Sequence, residues 1–204
     1  MVLLSFLAAY LIGSIPTALI IGKLFFHVDI RDHGSNNPGA TNTLRVLGKR
    51  AGIAVLLVDV GKGAFAASLP FLLNIQLDPL YLGLTAVIGH CFSVFTKFRG
   101  GKAIATTAGA LLIANPWMLL VSYITFFAVI FISKYVFFGS ISVGVALLLF
   151  SFFEPGYKHE IIFTLFLFLL IFLHRSNISN FISNQEPKVN DKKLKNDRIP
   201  PNKK

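Results

Sequence analysis

The sequence has little of two kinds of residue that build many functional sites. Cys91 is the only cysteine among 204 residues, which excludes an intrachain disulfide, a cysteine-rich zinc site and an iron–sulfur site. Aspartate and glutamate together number 9, against 19 lysines and arginines. No cluster of His, Asp or Glu has the spacing of a metal site. The sequence therefore predicts no bound metal.

The chain is too apolar for an ordinary soluble domain. Its hydrophobic fraction is 54% and its mean hydropathy is +0.70, which indicates an all-α, polytopic integral membrane protein. The net charge of +10 could suggest a nucleic-acid partner. However, the cations lie between apolar segments, where they report membrane topology and contacts with anionic lipid. Phenylalanine lies inside the apolar segments, so we expect no base-stacking surface and no nucleic-acid partner.

Apolar segments alternate with polar connections along most of the chain. Seven can be drawn, at residues 2–25, 52–73, 80–95, 103–114, 116–133, 135–153 and 160–173. A straight crossing of a hydrocarbon core needs about 20 residues, so the fourth and seventh segments are short. The fourth could be a short span, a re-entrant segment or one arm of a hairpin broken at Asn115-Pro116. Pro79 and Pro116 stand where helices are expected to begin. We predict about seven transmembrane helices, some of them short.

The positions of the cations predict the topology. With the N-terminus outside, the outer connections hold only Lys158. The inner connections then hold the other cations between segments, which are Lys23, Arg31, Arg45, Lys49, Arg50, Lys97, Arg99, Lys102, Lys134 and Arg175. This asymmetry follows the positive-inside rule. Residues 1–183 are expected to form the membrane domain, and residues 184–204 a solvated basic tail against anionic headgroups.

Three polar patches, which we number in chain order, interrupt the apolar segments. They are residues 33–42 with Arg45, residues 98–102, and residues 174–177. Each joins a cation to glycine backbone, hydroxyl or amide groups, and such groups hold phosphates. The predicted topology places all three on one side of the membrane. The sequence therefore indicates a site that binds anions at the membrane surface.

The first two patches each have a bland alternative. In the first, glycine and proline break the helix, and a short helix carrying Arg45 is expected to follow within residues 40–52. A polar turn with an Asn cap would look the same. In the second, Gly100, Gly101 and Lys102 precede an apolar helix, as in a phosphate cradle. Its alternative is a membrane helix flanked by snorkelling cations.

Five further side chains are candidates for a special role. His174 and Asn177 would share one helix face if the seventh helix continued. We interpret His90, inside the third segment, as a neutral packing residue, with a catalytic role as the alternative. Asp59 and Lys62 are three residues apart in the second segment, and we interpret them as a mutually neutralising buried pair, with a proton relay as the alternative.

Taken together, the motifs resemble the bacterial membrane acyl-phosphate:glycerol-3-phosphate acyltransferase family of phospholipid synthesis. The resemblance covers most of the chain in order. The residues that carry it are Gly13-Ser14-Ile15-Pro16, Asp29-Ile30-Arg31-Asp32-His33-Gly34-Ser35, Pro38-Gly39-Ala40-Thr41-Asn42, Leu47-Gly48-Lys49, Asp59, Lys62-Gly63, Gly89-His90, Phe98-Arg99-Gly100-Gly101-Lys102, Ala105-Thr106, His174-Arg175-Ser176-Asn177-Ile178 and Glu186.

The resemblance implies transfer of a fatty acyl group from a long-chain acyl phosphate to the 1-hydroxyl of glycerol 3-phosphate. It implies no metal or organic cofactor, a monomer among membrane lipids, and an active site facing the cytoplasm from the bacterial inner membrane. The residues expected to hold the phosphates are Ser35, Arg45, Lys102, His174 and Asn177. The further substrate-binding candidates are Gly34, Asn37, Gly39, Thr41, Asn42, His90, Arg99, Gly100, Gly101, Thr106 and Glu186. The glycine loops are expected to offer amides to the acyl carbonyl, and a substrate phosphate to accept the proton.

The chain departs from that family at four positions. It has Asn36 and Ala103 where the family commonly has glycine, Ser93 where it has proline, and Asn184 near a position where it has glycine. Ala103 stands out because a methyl group restricts the backbone beside Lys102. Two other functions would also suit the sequence, a small transporter or channel for an anionic solute and a membrane scaffold without activity.

Overall fold

The structure, a computed structural model, describes residues 1–153 and 159–199. Every regular element within those residues is helical, as the sequence predicts. The α-helices are α1 (Val2–Ser14), α2 (Thr17–Phe26), α3 (Ala40–Leu47), α4 (Lys49–Leu72), α5 (Pro79–Cys91), α6 (Ile104–Ala114), α7 (Pro116–Ser133), α8 (Val136–Ser151), α9 (Glu160–Leu173) and α10 (Arg175–Ile182). Short 3-10 helices occupy Ile30–Asp32, Val94–Thr96 and Lys192–Asp197. Lys158 and residues 200–204, which entered the topology and tail predictions, lie outside the described residues.

Proline and its neighbours set several helix ends. Pro79 occupies the first turn of α5, and the Asp78 side chain caps that helix by accepting from the amide of Leu80 at 2.9 Å. α7 begins at Pro116. Both prolines therefore lie where the sequence predicts, because a first-turn residue has no intrahelical use for its amide. Pro16 separates α1 from α2.

Four helical stretches of the described chain are long and apolar enough to cross a membrane, namely Val2–Phe26, Lys49–Leu72, Pro79–Thr96 and Pro116–Ser133. The pair α9 and α10, bent by 53°, provides a fifth if it counts as one span. Two shorter apolar helices, α6 and α8, accompany them. At a rise of about 1.5 Å per residue, α6 is only about 17 Å long, roughly half of a hydrocarbon core.

The first of two compact units comprises residues 1–115 and 192–204. Small residues bring its helices together. A side chain on Gly13 of α1 would overlap the backbone of Ala86 in α5, and one on Gly63 of α4 would overlap the backbone of Thr106 in α6. Close backbone approach of this kind is typical of helices packed inside membranes. It fixes the end of α5 and the start of α6, which frame the second patch.

The second unit comprises residues 116–191. The facing side chains of α8 and α9 meet at Gly144, where a Cβ would lie 3.0 Å from Leu170 Cδ1. Phe181 of α10 packs edge-on to Tyr135 and Phe138, with ring centroids 5.1 Å apart in both pairs. These contacts fix the position of α10 within this unit, and the first turn of α10 lies in the third patch.

Candidate functional site

One asparagine organises the loop of the first patch. Asn42, in the first turn of α3, accepts the Ser35 amide through Oδ1 at 2.8 Å. Its Nδ2 donates to the carbonyl oxygens of Ile30 at 3.3 Å and His33 at 2.9 Å. The side chain is buried, so Asn42 shapes the loop around Ser35, and Ser35 itself is exposed.

The backbone of this loop explains two of its small residues. Gly34 has φ +60°, and a Cβ there would overlap Asn42 Oδ1. Asn36 has φ +57°, which asparagine tolerates better than most residues. Its side-chain Nδ2 donates to the Arg31 carbonyl at 2.7 Å. Three further substrate-binding candidates lie in this patch. Asn37 is half-buried, Gly39 directly precedes α3, and Thr41 is exposed.

An ion pair anchors the chain just before this loop. Arg31 donates to the Asp29 carboxylate through Nε at 3.0 Å and through Nη2 at 2.7 Å. These hydrogen bonds lower the pKa of Asp29 to about 2. The carboxylate therefore stays ionised at neutral pH and holds the 3-10 turn that leads into the first patch.

Arg45 lies on α3, as predicted, and an acidic residue from the tail approaches it. Asp197 Oδ2 is 3.7 Å from Arg45 Nη1. The following segment adds a backbone bond from the Ile199 amide to the Val46 carbonyl at 2.9 Å, and Ile199 packs against the buried cluster that includes Val46. A carboxylate thus occupies one side of a guanidinium that could pair with a phosphate.

We expect Asp197→Asn to lower the KM for an anionic ligand held by Arg45. Partly exposed ion pairs of this kind contribute about 0.2–1 kcal/mol, which corresponds to a fall in KM of roughly 1.5- to 5-fold. Steady-state kinetics with glycerol 3-phosphate, the ligand that the family resemblance implies, would measure it. Asp197→Glu keeps the charge and serves as the matched control. An unchanged KM for Asp197→Asn would mean that the carboxylate does not compete.

The second patch is folded against the end of α5. The Gly100 amide donates to the Cys91 carbonyl at 3.0 Å, and the Gly101 amide donates to the His90 carbonyl at 3.1 Å. Both amides are therefore engaged within the protein, contrary to the expectation that they face an acyl carbonyl. The glycines are needed for space, because a Cβ on Gly100 would overlap the His90 carbonyl oxygen and one on Gly101 would overlap His90 Nε2.

Lys102 and Ala103 join this loop to α6. Lys102 is half-buried, and its carbonyl accepts the Ile104 amide at 2.9 Å. Ala103, the N-cap of α6, has φ +72° and ψ −33° and is fully buried. An alanine rarely adopts that conformation, whereas glycine adopts it at little cost.

We expect Ala103→Gly to raise the thermal stability of the protein. Relief of a left-handed backbone conformation amounts to about 1 kcal/mol, or roughly 2–4 °C in the melting temperature of a chain of this size. Thermal unfolding in detergent would measure it. Ala108→Gly, in the second turn of α6, is the matched control and should destabilise by about 1 kcal/mol. A melting temperature below that of the parent protein would show that Ala103 is unstrained.

Two further candidates of the second patch differ in exposure. Arg99 is exposed. Thr106 is fully buried in the first turn of α6, and among the described residues its hydroxyl has no hydrogen-bond partner. A buried hydroxyl without a partner is costly, so Thr106 has unused capacity to bind a polar group.

The first two patches border a single cleft within the first unit. Pro38 comes from the first patch, Gly100 and Gly101 come from the second, and His90 comes from the end of α5. The remaining lining residues surround the break between α1 and α2 and the end of α5, and they are Ser14, Ile15, Pro16, Thr17, Ser93 and Thr96. The structure therefore brings together two segments that are separated by about sixty residues of sequence.

Sequence reasoning missed the serine and threonine residues around this cleft. Ser93 Oγ donates to the Ser14 carbonyl at 2.5 Å, and Ser14 Oγ donates to the Gly89 carbonyl at 3.2 Å. They tie the break in the first span to the end of α5. The sequence feature that could have indicated them is their position, since Ser14 lies close to Pro16 and Ser93 lies close to the second patch.

Asp59 and Lys62 form the buried pair that their spacing predicts. Lys62 Nζ lies 2.8 Å from Asp59 Oδ1, and both side chains are almost fully buried. His90 Nδ1 lies 3.8 Å from the same carboxylate oxygen. Within the described residues, no group of three or more His, Cys, Asp or Glu side chains is placed to hold a metal ion.

The third patch belongs to the second unit. α9 and α10 meet at His174 with a bend of 53°. The seventh helix therefore does not continue straight, which was the condition for His174 and Asn177 to share one helix face. His174 Nδ1 lies 2.9 Å from the Leu170 carbonyl oxygen. Asn177 donates to Glu186 Oε1 at 2.7 Å, and Asn180 donates to Oε2 at 3.4 Å. Glu186, a substrate-binding candidate by sequence, is thus directed at Asn177.

Comparison with known proteins gives a consistent result. A family model described as "Glycerol-3-phosphate acyltransferase" matches residues 3–184. The curated glycerol-3-phosphate acyltransferase of Bacillus cereus (strain G9842) is 43% identical over 187 residues, which cover 92% of this chain and 94% of that protein. The one from Bacillus subtilis (strain 168) is 43% identical over 189 residues, covering 93% and 98%.

Two solved structures are also similar. Both are crystal structures of PlsY (YgiH), described as an integral membrane glycerol 3-phosphate acyltransferase. The glycerol 3-phosphate form has a TM-score of 0.82 at 34% identity and covers 91% of this chain and 94% of that chain. The lysophosphatidic acid form has a TM-score of 0.79 at the same identity and coverage.

Proposed function

Because the chain belongs to the glycerol-3-phosphate acyltransferase family, we propose that it acylates glycerol 3-phosphate with a long-chain acyl phosphate. Acyl transfer to glycerol 3-phosphate and a place in the membrane follow from the family. The acyl-phosphate donor, the residue roles and the orientation in the membrane are the proposal. The matches give no support to an anion transporter.

The proposed reaction balances without a cofactor. The 1-hydroxyl oxygen of glycerol 3-phosphate attacks the acyl carbonyl carbon and forms the ester bond. The bond from that carbon to the phosphate oxygen breaks, and phosphate leaves with the electron pair. The hydroxyl proton goes to a phosphate oxygen of a substrate. The products are 1-acyl-glycerol 3-phosphate and inorganic phosphate.

The main obstacle to this reaction is the repulsion between two anionic reactants. Two unit charges about 6 Å apart at a protein surface repel by about 3 kcal/mol. In the proposal, Arg45 and Lys102 cancel that repulsion, and Ser35 donates a hydrogen bond to one phosphate. Holding the reactants together contributes several kcal/mol more.

The observation that carries the proposal is the shared cleft, in which Pro38 of the first patch and Gly100 and Gly101 of the second line one space. A phosphate bound at the mouth of this cleft would meet the loop that Asn42 shapes and the lysine that follows Gly101. His90 is buried and packs against Gly101, so we assign the proton to a substrate phosphate.

The third patch has its own part in the proposal. His174 and Asn177 are proposed phosphate ligands, and Glu186 is proposed to orient Asn177 by accepting its amide, since the two side chains are 2.7 Å apart. Arg99, Thr41 and Asn37 remain proposed contacts to substrate. The protein is proposed to act as a monomer among membrane lipids, which light scattering in detergent would test.

A donor assay tests the reaction. The purified protein in detergent is incubated with radiolabelled glycerol 3-phosphate and either palmitoyl phosphate or palmitoyl-CoA. The proposal requires lysophosphatidic acid with palmitoyl phosphate alone. Product only with palmitoyl-CoA would reject the donor, and no product with either would reject the assigned activity.

The proposed topology has seven crossings, an outer N-terminus and a cytoplasmic site in the bacterial inner membrane. It counts four long spans, the bent pair α9 and α10, and the short helices α6 and α8. Single cysteines at the exposed positions Ser35, Lys97 and Ser176 would test it, in a Cys91→Ala background. A membrane-impermeant maleimide should label all three in inside-out vesicles only. Labelling from opposite faces would reject the seven crossings.

A further inference from the structure

A buried ion pair lies beside the cleft and plays no part in the proposed chemistry. Asp59 and Lys62 face each other on α4, with side chains only 2% and 4% exposed. Removing two charges from water costs several kcal/mol per ion, and an apolar pair of the same volume is often at least as stable. A contribution to stability is therefore a weak explanation for this pair.

The pair reaches out of α4 to the break in the first span. Lys62 Nζ donates to the Ile15 carbonyl at 3.1 Å, and Thr17 Oγ1 donates to Asp59 Oδ1 at 3.0 Å. Ile15 and Thr17 flank Pro16, where the backbone leaves the helical path, and all three line the cleft. Each charge of the pair thus holds one side of the same break.

The pair also reaches the phosphate loop through a histidine. Asp59 Oδ1 lies 3.8 Å from His90 Nδ1. The opposite ring nitrogen, Nε2, lies so close to Gly101 that a Cβ there would overlap it, and the His90 carbonyl accepts the Gly101 amide. The His90 ring therefore stands between the Asp59 carboxylate and the residue that precedes Lys102.

We propose that Asp59 and Lys62 are positioning residues of the glycerol 3-phosphate site. Lys62 and Asp59 fix the wall of the cleft at Ile15 and Thr17, and Asp59 fixes the loop of Lys102 through His90. Because the two charges cancel, the pair adds no net charge to the cleft and leaves Lys102 as its nearby cation. This inference rests on the proposed function only for the identity of the ligand.

The test compares one charged-to-neutral double variant with the parent protein. Asp59→Asn and Lys62→Met alone each leave a buried unpaired charge and are expected to fold poorly. Asp59→Asn/Lys62→Met removes both charges and should keep the melting temperature close to that of the parent. If the pair positions the loop, the double variant must order Lys102 when the ligand binds, and the Kd for glycerol 3-phosphate rises by up to about 10-fold. A double variant with parental stability and parental Kd would overturn the inference.

A milder variant keeps the inference testable should the double variant not fold. Thr17→Val retains the ion pair and removes only the hydroxyl that donates to Asp59. It should raise the Kd for glycerol 3-phosphate several-fold with little change in melting temperature, and Thr17→Ser should restore binding. An unchanged Kd for Thr17→Val would count against the inference. Ser122→Ala, a buried hydroxyl that bonds within α7, is the control and should leave the Kd unchanged.

Equilibrium binding separates this inference from the proposed donor. Isothermal titration with glycerol 3-phosphate alone needs no acyl donor. If the parent protein binds glycerol 3-phosphate but does not use palmitoyl phosphate, the proposed donor is rejected. The effect of the variants on the Kd then still tests the positioning role. A parent protein that does not bind glycerol 3-phosphate would reject both.

Discussion

Replacing Arg45 or Lys102 by alanine is expected to lower kcat/KM by about 100- to 1000-fold, the range found when one preorganised charge-stabilising donor is lost. Each cation faces an anionic reactant in the proposed site, so its replacement removes both a charge and the hydrogen bonds that the charge donates. Arg45 is 18% exposed and its partner Asp197 is 37% exposed, so loss of that ion pair should hardly change folding. Steady-state kinetics with palmitoyl phosphate and glycerol 3-phosphate would measure the effect.

Two exposed cations serve as matched controls. Arg50, in the first turn of α4, and Lys97, at the end of the 3-10 helix before the second patch, are both exposed. Arg50→Ala and Lys97→Ala remove the same charges within a few residues of the site and should retain most of the activity. If all four variants lost activity equally, general electrostatic attraction at the membrane surface would explain the data. Full activity of Arg45→Ala and Lys102→Ala would refute their assigned roles.

The sequence predicted the helices well because apolar composition decides where a chain enters a membrane. The predicted fifth segment, residues 116–133, coincides with α7, since a proline starts it and Ser133-Lys134 ends it. α4 begins at Lys49, three residues before the predicted segment, because its first turn is polar and carries no hydropathy signal. The bend at His174 was not predicted, since no proline or glycine marks it.

The residues of the candidate site were chosen from the sequence by their type, and their contacts were not predicted. The sequence indicated Ser35, Arg45 and Lys102, since cations and helix-breaking residues in an apolar chain are conspicuous. It did not predict that the Asn42 side chain would form hydrogen bonds with the loop backbone. Nor did it predict that the Gly100 and Gly101 amides would donate to carbonyl oxygens at the end of α5. Those outcomes depend on which carbonyl oxygens are left without partners at helix ends, a property of the folded chain.

The family departures now have a conformational explanation. Asn36 and Ala103 replace a residue that the resemblance gives as glycine, and Asn184 lies near such a position. The φ angles of Asn36, Ala103 and Asn184 are +57°, +72° and +56°. Asparagine enters that region more readily than other residues with a side chain, whereas alanine does so at a cost. The backbone therefore tolerates the two asparagines well. Ala103 is the one that the fold accommodates under strain.

Replacing Gly101 by alanine is the second change with a large expected effect. A Cβ at this position would overlap His90 Nε2, and the ring has little room to retreat, because Asp59 Oδ1 lies 3.8 Å from its other nitrogen. The loop must then move away from α5 and carry Lys102 with it. A displacement of about 1 Å at a reacting group can cost about 100-fold in rate, so we expect kcat/KM for glycerol 3-phosphate to fall by up to that factor, with a higher KM.

Gly61→Ala separates this packing effect from the general effect of a methyl group. Gly61 lies on α4, and nothing stands within 4 Å of a Cβ built there, so alanine should stabilise the helix by up to about 1 kcal/mol and leave kinetics unchanged. Kinetic constants and melting temperatures of both variants would be measured in the same detergent. Since Gly101 and Lys102 are adjacent, a Gly101→Ala enzyme with the parental KM would mean that Lys102 reaches its ligand independently of where its loop packs.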